Sequence, residues 1–226
     1  MISHFRSKYG NYLVEFLAII FGVLVGFALN SWREDKSDKK QERFYLQELS
    51  ANLAADNNRL QIVIQNQQEI LETLDILLTI MPEATESQKA RIDSLFLISR
   101  NNETFFPTVG AYKAMVSEGA LKLVSNKELL TSIVELYEFY YVRINYLGTV
   151  LDGVVEKITW ERRKFYSLHK SAFLSMNAVR DPEVAAMLDQ RFGFIGLYLS
   201  HAERTFRQIG RVQEALAEER SKLEKL

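Results

Sequence analysis

The residue types that most often carry catalysis or bind metals are sparse in this sequence and far apart. The three histidines, His4, His169 and His201, have no partner at metal-ligand spacing, and no Glu-x-x-His pair of the di-iron bundle type occurs. No phosphate loop, dinucleotide-binding fingerprint, HExxH helix or nucleophile elbow is present. Acidic pairs such as Glu135 and Glu138 are typical of solvated helix faces. We therefore expect no catalytic residue, no cofactor, no metal site and no enzymatic activity.

Composition excludes further classes of protein. The chain has no cysteine, which rules out disulfides, zinc–thiolate sites, iron–sulfur clusters and thiol nucleophiles. Lys and Arg number 28 against 29 Asp and Glu, so no excess of positive charge favours nucleic acid as a partner. Only 3 prolines and 10 glycines occur, which argues against a turn-rich β-sandwich or barrel. A helical protein without nucleic-acid partners is expected.

The strongest pattern is an apolar segment near the N-terminus. Residues 13–29 contain one charged residue, Glu15. Tyr9, Tyr12 and Trp32 flank the segment where the interfacial aromatic residues of a spanning helix belong. A helix from Tyr9 to Trp32 is roughly 35 Å long, which is enough to cross a ~30 Å hydrocarbon core with some tilt. These features predict a transmembrane helix that contacts the lipid bilayer.

Two alternatives share this composition. One is the buried core helix of a soluble protein. The other is a cleaved signal peptide, with Arg6 and Lys8 as its basic region and small residues within 26–28 near a cleavage site. The apolar run is longer than a usual signal-peptide core and contains Glu15, which disfavours cleavage. We expect an uncleaved anchor over residues 12–32 after a short tail of residues 1–11.

One face of the anchor carries small and polar residues. At 100° per residue, five of them fall within about a third of the circumference: Glu15, Ala18, Gly22, Gly26 and Asn30. The GxxxG spacing of Gly22 and Gly26 lets two helix backbones approach closely in lipid. Alternatively, Glu15 reaches the headgroups and the glycines merely fit the bilayer. We call these five residues the small-residue face and expect it to contact another helix, from a second copy or another membrane protein.

Residues 15–34 also carry a compound motif: an acidic residue, an aliphatic run, a glycine, and Asn-x-Trp before a charged helix. Four positions match it, namely Glu15, Gly22, Asn30 and Trp32, whereas Ala28 stands in place of a glutamine. In this motif the chain resembles a family of uncharacterised single-pass membrane proteins of Bacteroidetes-type bacteria, and residues 116–121 are also similar to it. The resemblance implies a helical domain after the anchor and no known activity.

Beyond the anchor, apolar residues recur at spacings of three and four. Residues 33–43 lack proline and glycine, so the spanning helix is expected to continue straight on. Between residues 46 and 81, nine of eleven seam positions are apolar, which predicts a long helix that packs against others. Asp56 and Gln67 interrupt this seam, and buried polar residues of that kind can set helix register.

Similar periodicity predicts two further long helices, and no stretch alternates long enough to predict a strand. The three long helices are expected at about 40–81, 126–168 and 182–222, with a capping box beginning at Ser125 and with Tyr137 and Tyr140 on the apolar seam. The expected fold is all-α: one N-terminal transmembrane helix that continues into a long helix, with an extramembrane antiparallel helical bundle over residues 33–226.

Phe105 and Phe106 stand side by side before Pro107 in an irregular stretch. Two adjacent phenylalanines in a loop either close the end of the bundle or contact a partner. They are therefore a candidate partner loop.

These patterns predict a non-catalytic, membrane-anchored interaction protein that self-associates or serves as an accessory subunit of a larger membrane complex. The alternative is an envelope sensor or ligand-binding helical ectodomain, which the short stretch before the anchor disfavours. The bacterial inner (cytoplasmic) membrane is the expected location, with a single pass. Counts of Lys and Arg near the anchor favour a cytoplasmic bundle and net charge favours the opposite. We prefer the periplasmic side.

Overall fold

The computed structural model describes the backbone of residues 3–224 and the side chains of residues 15–223. One helix, α1, runs without a break over Ser3–Ile80. Residues 15–41 of α1 are exposed on every side, whereas residues 42–80 form one wall of a helical bundle. The predicted continuity of anchor and first bundle helix is confirmed. Pro82 follows the last turn, where its ring cannot continue a helix.

Within residues 3–224, α1 is followed by six further helices and one small hairpin. The helices are α2 (Lys89–Ser99), α3 (Gly110–Ser117), α4 (Lys127–Glu135), α5 (Tyr141–Glu161), α6 (Met176–Val179) and α7 (Pro182–Glu224), and a π-helical turn, Leu136–Tyr140, joins α4 to α5. Short 3-10 turns lie at Glu86–Gln88, Ala120–Leu123 and Arg162–Lys164. Strands β1 (Tyr166–Ser167) and β2 (Ala172–Phe173) pair antiparallel, with Tyr166 opposite Phe173.

The bundle is built from three long rods: the distal part of α1, the α4–α5 helix, and α7. Glu42 near the start of the α1 wall contacts Ser125, and Asp56 further along contacts Tyr141, so α1 and α4–α5 run parallel. Arg43 donates a hydrogen bond to the carbonyl of Leu223, so α7 runs antiparallel to α1. The predicted all-α fold, with further helices packed against a long apolar N-terminal helix, is confirmed.

The α1 seam is buried as the periodicity predicts. All eleven predicted seam positions from Leu46 to Met81 are buried, including the polar residues Asp56 and Gln67. On α7 the pattern is less regular: Phe192 is only half-buried, while Arg191 is almost fully buried. Spacing alone predicts that the bulky apolar residues of α7 face inward. At this level of α7 it is instead the polar side chain of Arg191 that is buried.

The segment of residues 100–109 between α2 and α3 has no regular secondary structure and lies against the seam of α1. We call it the α2–α3 loop. The Asp56 carboxylate accepts hydrogen bonds from the backbone N–H of Thr108 at 3.0 Å and from its hydroxyl at 2.7 Å. The Gln67 amide donates to the carbonyl of Glu103 at 2.6 Å. The two polar interruptions of the seam therefore bind the α2–α3 loop.

Helix α7 holds the same loop from the other side. Arg191 donates hydrogen bonds to the carbonyls of Ser99 and Asn101, and burial lowers the pKa of this guanidinium to about 10. The Tyr198 hydroxyl accepts a hydrogen bond from the backbone N–H of Phe105 at 2.8 Å. Buried backbone N–H and carbonyl groups need hydrogen-bond partners. Because these side chains provide them, the loop can enter the core although it has no regular secondary structure.

The predicted end of the α5 helix and the expected absence of strands are both wrong. Helix α5 ends at Glu161 rather than near 168, and a hairpin follows that no alternation signalled because its strands have two residues each. The hairpin buries an aromatic cluster of Phe96, Phe165, Tyr166 and Phe173.

Asn126, not Ser125, caps α4. The Asn126 side-chain oxygen accepts hydrogen bonds from the N–H groups of Glu128 and Leu129, both at 3.1 Å. Ser125 is drawn away because its N–H and hydroxyl both donate to the buried carboxylate of Glu42. A capping side chain one residue later satisfies the same helix end.

We predict that the chain from Lys40 onward folds without lipid. Residues 15–41 contribute nothing to the described core, which begins at Glu42 and Tyr45, so their removal leaves the rods intact. A circular dichroism spectrum of the purified fragment should show predominantly helix and a cooperative thermal transition. A strand-dominated or non-cooperative spectrum would contradict the fold.

Candidate functional site

A groove of about 600 Å³ opens beside the π-helical turn. Its walls are the end of the α2–α3 loop, the start of α3, the π-helical turn and the first half of α5. We call it the tyrosine groove, and the residues that line it are Phe106, Pro107, Val109, Tyr112, Lys113, Tyr137, Glu138, Tyr141, Val142, Asn145, Tyr146 and Thr149. Its size is that of a small-molecule site.

The π-helical turn changes which tyrosines face the core. The sequence predicts Tyr137 and Tyr140 on the seam, but the structure buries Tyr137 and Tyr141 and leaves Tyr140 half-buried. The wider turn accommodates one additional residue, which moves the inward position on by one. As a result two tyrosines, one turn apart, lie on the wall of the groove.

The two adjacent phenylalanines have different environments. Phe105 is 2% exposed, and its ring lies 5.9 Å from that of Tyr141 in an edge-to-face arrangement. Phe106 is 66% exposed and lines the tyrosine groove. Of the predicted partner loop, therefore, one ring fills the core and the other is free to contact a ligand or partner.

Asp56 lies behind the groove and connects three elements. Besides its bonds to Thr108, its carboxylate accepts a hydrogen bond from the Tyr141 hydroxyl at 2.8 Å. Among the described residues, no lysine, arginine or histidine forms a salt bridge with it. Its negative charge is thus stabilised by neutral donors alone.

The tyrosines of the groove form a stacked group. The Tyr112 and Tyr137 rings are nearly parallel with centroids 4.4 Å apart, and Tyr141 meets Tyr137 edge to face at 5.0 Å. Burial, followed by the Glu138 carboxylate, raises the pKa of Tyr112 to about 12. Burial and then the charge of Asp56 raise the pKa of both Tyr137 and Tyr141. These hydroxyls therefore stay protonated at any physiological pH.

The Tyr137 hydroxyl lacks a hydrogen-bond partner within the described residues, although the side chain is only 4% exposed. A buried polar atom without a partner is uncommon and destabilising. The oxygen is enclosed by protein, so it is not open to an occupant of the groove.

The small-residue face lies in the exposed part of α1. No described atom comes within 4 Å of a side chain built at Gly22 or Gly26, and Glu15 and Ala18 are exposed. Asn30 is also exposed, and its amide donates to Glu34 one turn later at 3.0 Å. Helix geometry places all five residues on one side of α1, but the described chain supplies no second helix against it.

Of the three predicted interfacial aromatic residues, Trp32 is described. Its ring is 60% exposed, and the Lys36 ammonium lies 5.4 Å from the ring centroid. The side chains of Tyr9 and Tyr12 lie outside the described residues. The described part of α1, from Glu15 onward, is long and apolar enough to cross a membrane. None of its most apolar stretch is buried. The alternative of a core helix within this fold is therefore wrong.

Sequence reasoning did not identify the groove or its supports. The stretch Leu136–Tyr141 is visibly aromatic, but its π-helical turn has no sequence signature that separates it from an ordinary helix. Arg191 was not predicted because buried arginines are rare. No group of three or more potential metal ligands occurs among the described residues. The groove is the place where side chains of different elements converge.

A family model described as a family of unknown function, DUF6090, matches residues 15–192. The chain belongs to this family. The matched residues include the apolar part of α1, the α2–α3 loop and the tyrosine groove, and they end early in α7. No curated protein and no solved structure matches the chain.

We predict that Asp56→Ala lowers the free energy of unfolding of the fragment from Lys40 by about 2–4 kcal/mol, since it leaves the Thr108 N–H and the Tyr141 hydroxyl without an acceptor. Asp56→Asn, which keeps one acceptor oxygen, should show a smaller loss. Urea denaturation measures both. The exposed Asp75→Ala is the matched control and should change stability by less than about 0.5 kcal/mol. An Asp56→Ala loss no larger than the control would show that other contacts hold the loop.

A second prediction concerns alkaline pH. Burial raises the pKa of Tyr112 and of Tyr198 to about 12, above the ordinary value near 10. The folded state then keeps protons that the unfolded state releases, so the contribution of these two tyrosines to stability is constant below about pH 10 and falls as pH rises towards about 12. The buried Arg191 guanidinium, whose pKa is lowered to about 10, contributes in the opposite direction over the same range. Urea midpoints across this range, with tyrosinate absorbance recorded in parallel, measure the effect. Complete titration near pH 10 in a still-folded fragment would contradict it.

Proposed function

We propose that this chain is a non-catalytic, membrane-anchored helical protein that self-associates or serves as an accessory subunit of a membrane complex. One observation supports it above others: α1 continues unbroken from an apolar segment without contacts in the described chain into the buried wall of the bundle. Exposed apolar surface of this extent needs lipid or protein to cover it. The bundle is then a rigid body attached directly to whatever the anchor contacts.

The small-residue face indicates which side of α1 makes this contact. Lipid tails gain nothing from glycine or asparagine, whereas a second helix gains close backbone approach and a hydrogen bond. Substitution of Gly22 and Gly26 meets no neighbour in the described chain, so selection for tight packing within the fold does not account for them. Another helix in the membrane does.

We further propose the bacterial inner membrane as the location and the periplasm as the side of the bundle. Interfacial Trp32 and the adjacent Lys36 are consistent with a membrane–water boundary at this level of α1. Fusion of alkaline phosphatase or of a fluorescent protein after Leu226 tests the orientation. Phosphatase activity without fluorescence supports a periplasmic bundle, and the reverse result contradicts it.

A second candidate is a ligand-binding helical ectodomain. The observation that favours it is the tyrosine groove, which has the size of a small-molecule site and an exposed aromatic ring, that of Phe106, at its rim. The two candidates are compatible because the groove and the small-residue face lie on separate parts of the chain.

We predict that Gly22→Ile/Gly26→Ile leaves the protein inserted and folded but reduces its association in native membranes. Loss of a contact worth about 0.6–2 kcal/mol corresponds to roughly threefold to thirtyfold weaker association. Crosslinking and copurification from membranes, wild type against variant, measure it.

The matched control adds bulk to the opposite side of the same helix. Ile20→Phe/Leu24→Phe places larger side chains there, at positions that are also exposed. It should leave the partner profile unchanged. Equal profiles for all three proteins would show that the bundle, rather than the small-residue face, carries the association.

A further inference from the structure

The tyrosine groove concentrates aromatic rings at one site. Five rings line it, those of Phe106, Tyr112, Tyr137, Tyr141 and Tyr146. Phe106 and Tyr146 at the rim are 66% and 58% exposed, so their ring surfaces are open to an occupant. Aromatic faces are negative and attract cations. Tyr146 already carries one, since the Arg143 guanidinium, which is not among the lining residues, lies 5.8 Å from its centroid.

Four charged groups set the electrostatic character of the groove: the carboxylates of Asp56 and Glu138, the Lys113 amine of the lining and the Arg143 guanidinium beside Tyr146. Asp56 is fully buried behind Tyr141 and Tyr137, with hydrogen bonds from neutral donors and no salt bridge among the described residues. Glu138 lies in the lining itself, and Lys113, which is exposed, is the basic residue of the lining. A buried, uncompensated negative charge favours a positive occupant nearby.

We propose that the tyrosine groove binds a small organic cation: an ammonium group on a compact apolar body. The aromatic lining, with Phe106 open at the rim, and the carboxylates of Glu138 and Asp56 are together the features that recognise such a ligand. The proposal deepens the second candidate function above and is independent of association through the anchor.

The position of the groove identifies a soluble ligand rather than a lipid headgroup. Asp56 stands 24 residues beyond Trp32 on one continuous helix, a distance of roughly 36 Å along α1. A headgroup at the bilayer surface near Trp32 does not reach that far. The ligand therefore arrives from the aqueous phase.

Calorimetric titration of the full chain in detergent with three probes tests the proposal. Choline has the cation and a hydroxyl, its neutral isostere neohexanol has the hydroxyl alone, and tetramethylammonium has the charge alone. We expect saturable binding of choline, weaker binding of tetramethylammonium, and binding of neohexanol at least about tenfold weaker than that of choline.

Variants assign the binding to the groove. Phe106→Ala should weaken choline binding about threefold to thirtyfold, while Phe139→Ala, which removes a similarly exposed ring in the π-helical turn outside the lining, should not. Lys113→Gln should tighten choline binding because it removes a like charge.

Three results would overturn the proposal. Absence of saturable binding at millimolar choline shows that the groove is not a site for organic cations. Equal affinities for choline and neohexanol show that the groove takes apolar ligands irrespective of charge, which leaves the ligand-binding candidate standing and removes the cation. Equal effects of Phe106→Ala and Phe139→Ala place the binding elsewhere on the chain. None of these outcomes bears on membrane association.

Discussion

The arrangement of the bundle depends on the α2–α3 loop, a segment without regular secondary structure that enters the core. The α2–α3 loop descends between α1 and α7, where its backbone N–H and carbonyl groups are removed from water. Asp56 and Gln67 of α1 and Arg191 and Tyr198 of α7 each bind backbone atoms at or beside this loop. Without these partners the buried groups would each destabilise the fold by about 1–3 kcal/mol. The rods therefore pack around a segment that four polar side chains make compatible with burial.

The tyrosine groove follows from the same constraint. Because Asp56 binds both Thr108 and Tyr141, it holds the end of the loop next to the start of α5. The π-helical turn then presents Tyr137 and Tyr141 to this junction, while the loop leaves Phe106 at the rim. One buried carboxylate thus determines the position of the loop, the environment of two tyrosines and the charge behind the groove.

Helix α1 joins this core to the exposed apolar segment near the N-terminus without a break. Residues 33–80 contain neither glycine nor proline, the residues at which helices most often bend sharply. An anchor held by a partner through the small-residue face would therefore orient the whole bundle. The groove itself is lined by the α2–α3 loop, α3, the π-helical turn and α5, and Asp56 connects it to α1 well beyond the level of Trp32.

By itself the sequence determined the features that depend on local pattern. Apolar composition located the exposed segment that is long and apolar enough to cross a membrane. Apolar spacing located the buried seam from Leu46 to Met81 and the all-α fold, because helix periodicity and side-chain burial are set within a few turns. It also singled out Asp56, Gln67 and the pair Phe105 and Phe106, but not their roles. Only the tertiary structure decided that Asp56 and Gln67 bind a loop, that Phe105 is buried while Phe106 is exposed, and that Tyr141 rather than Tyr140 faces inward. Those outcomes depend on which backbone groups distant segments bring into contact, and residue spacing along one chain does not contain that information.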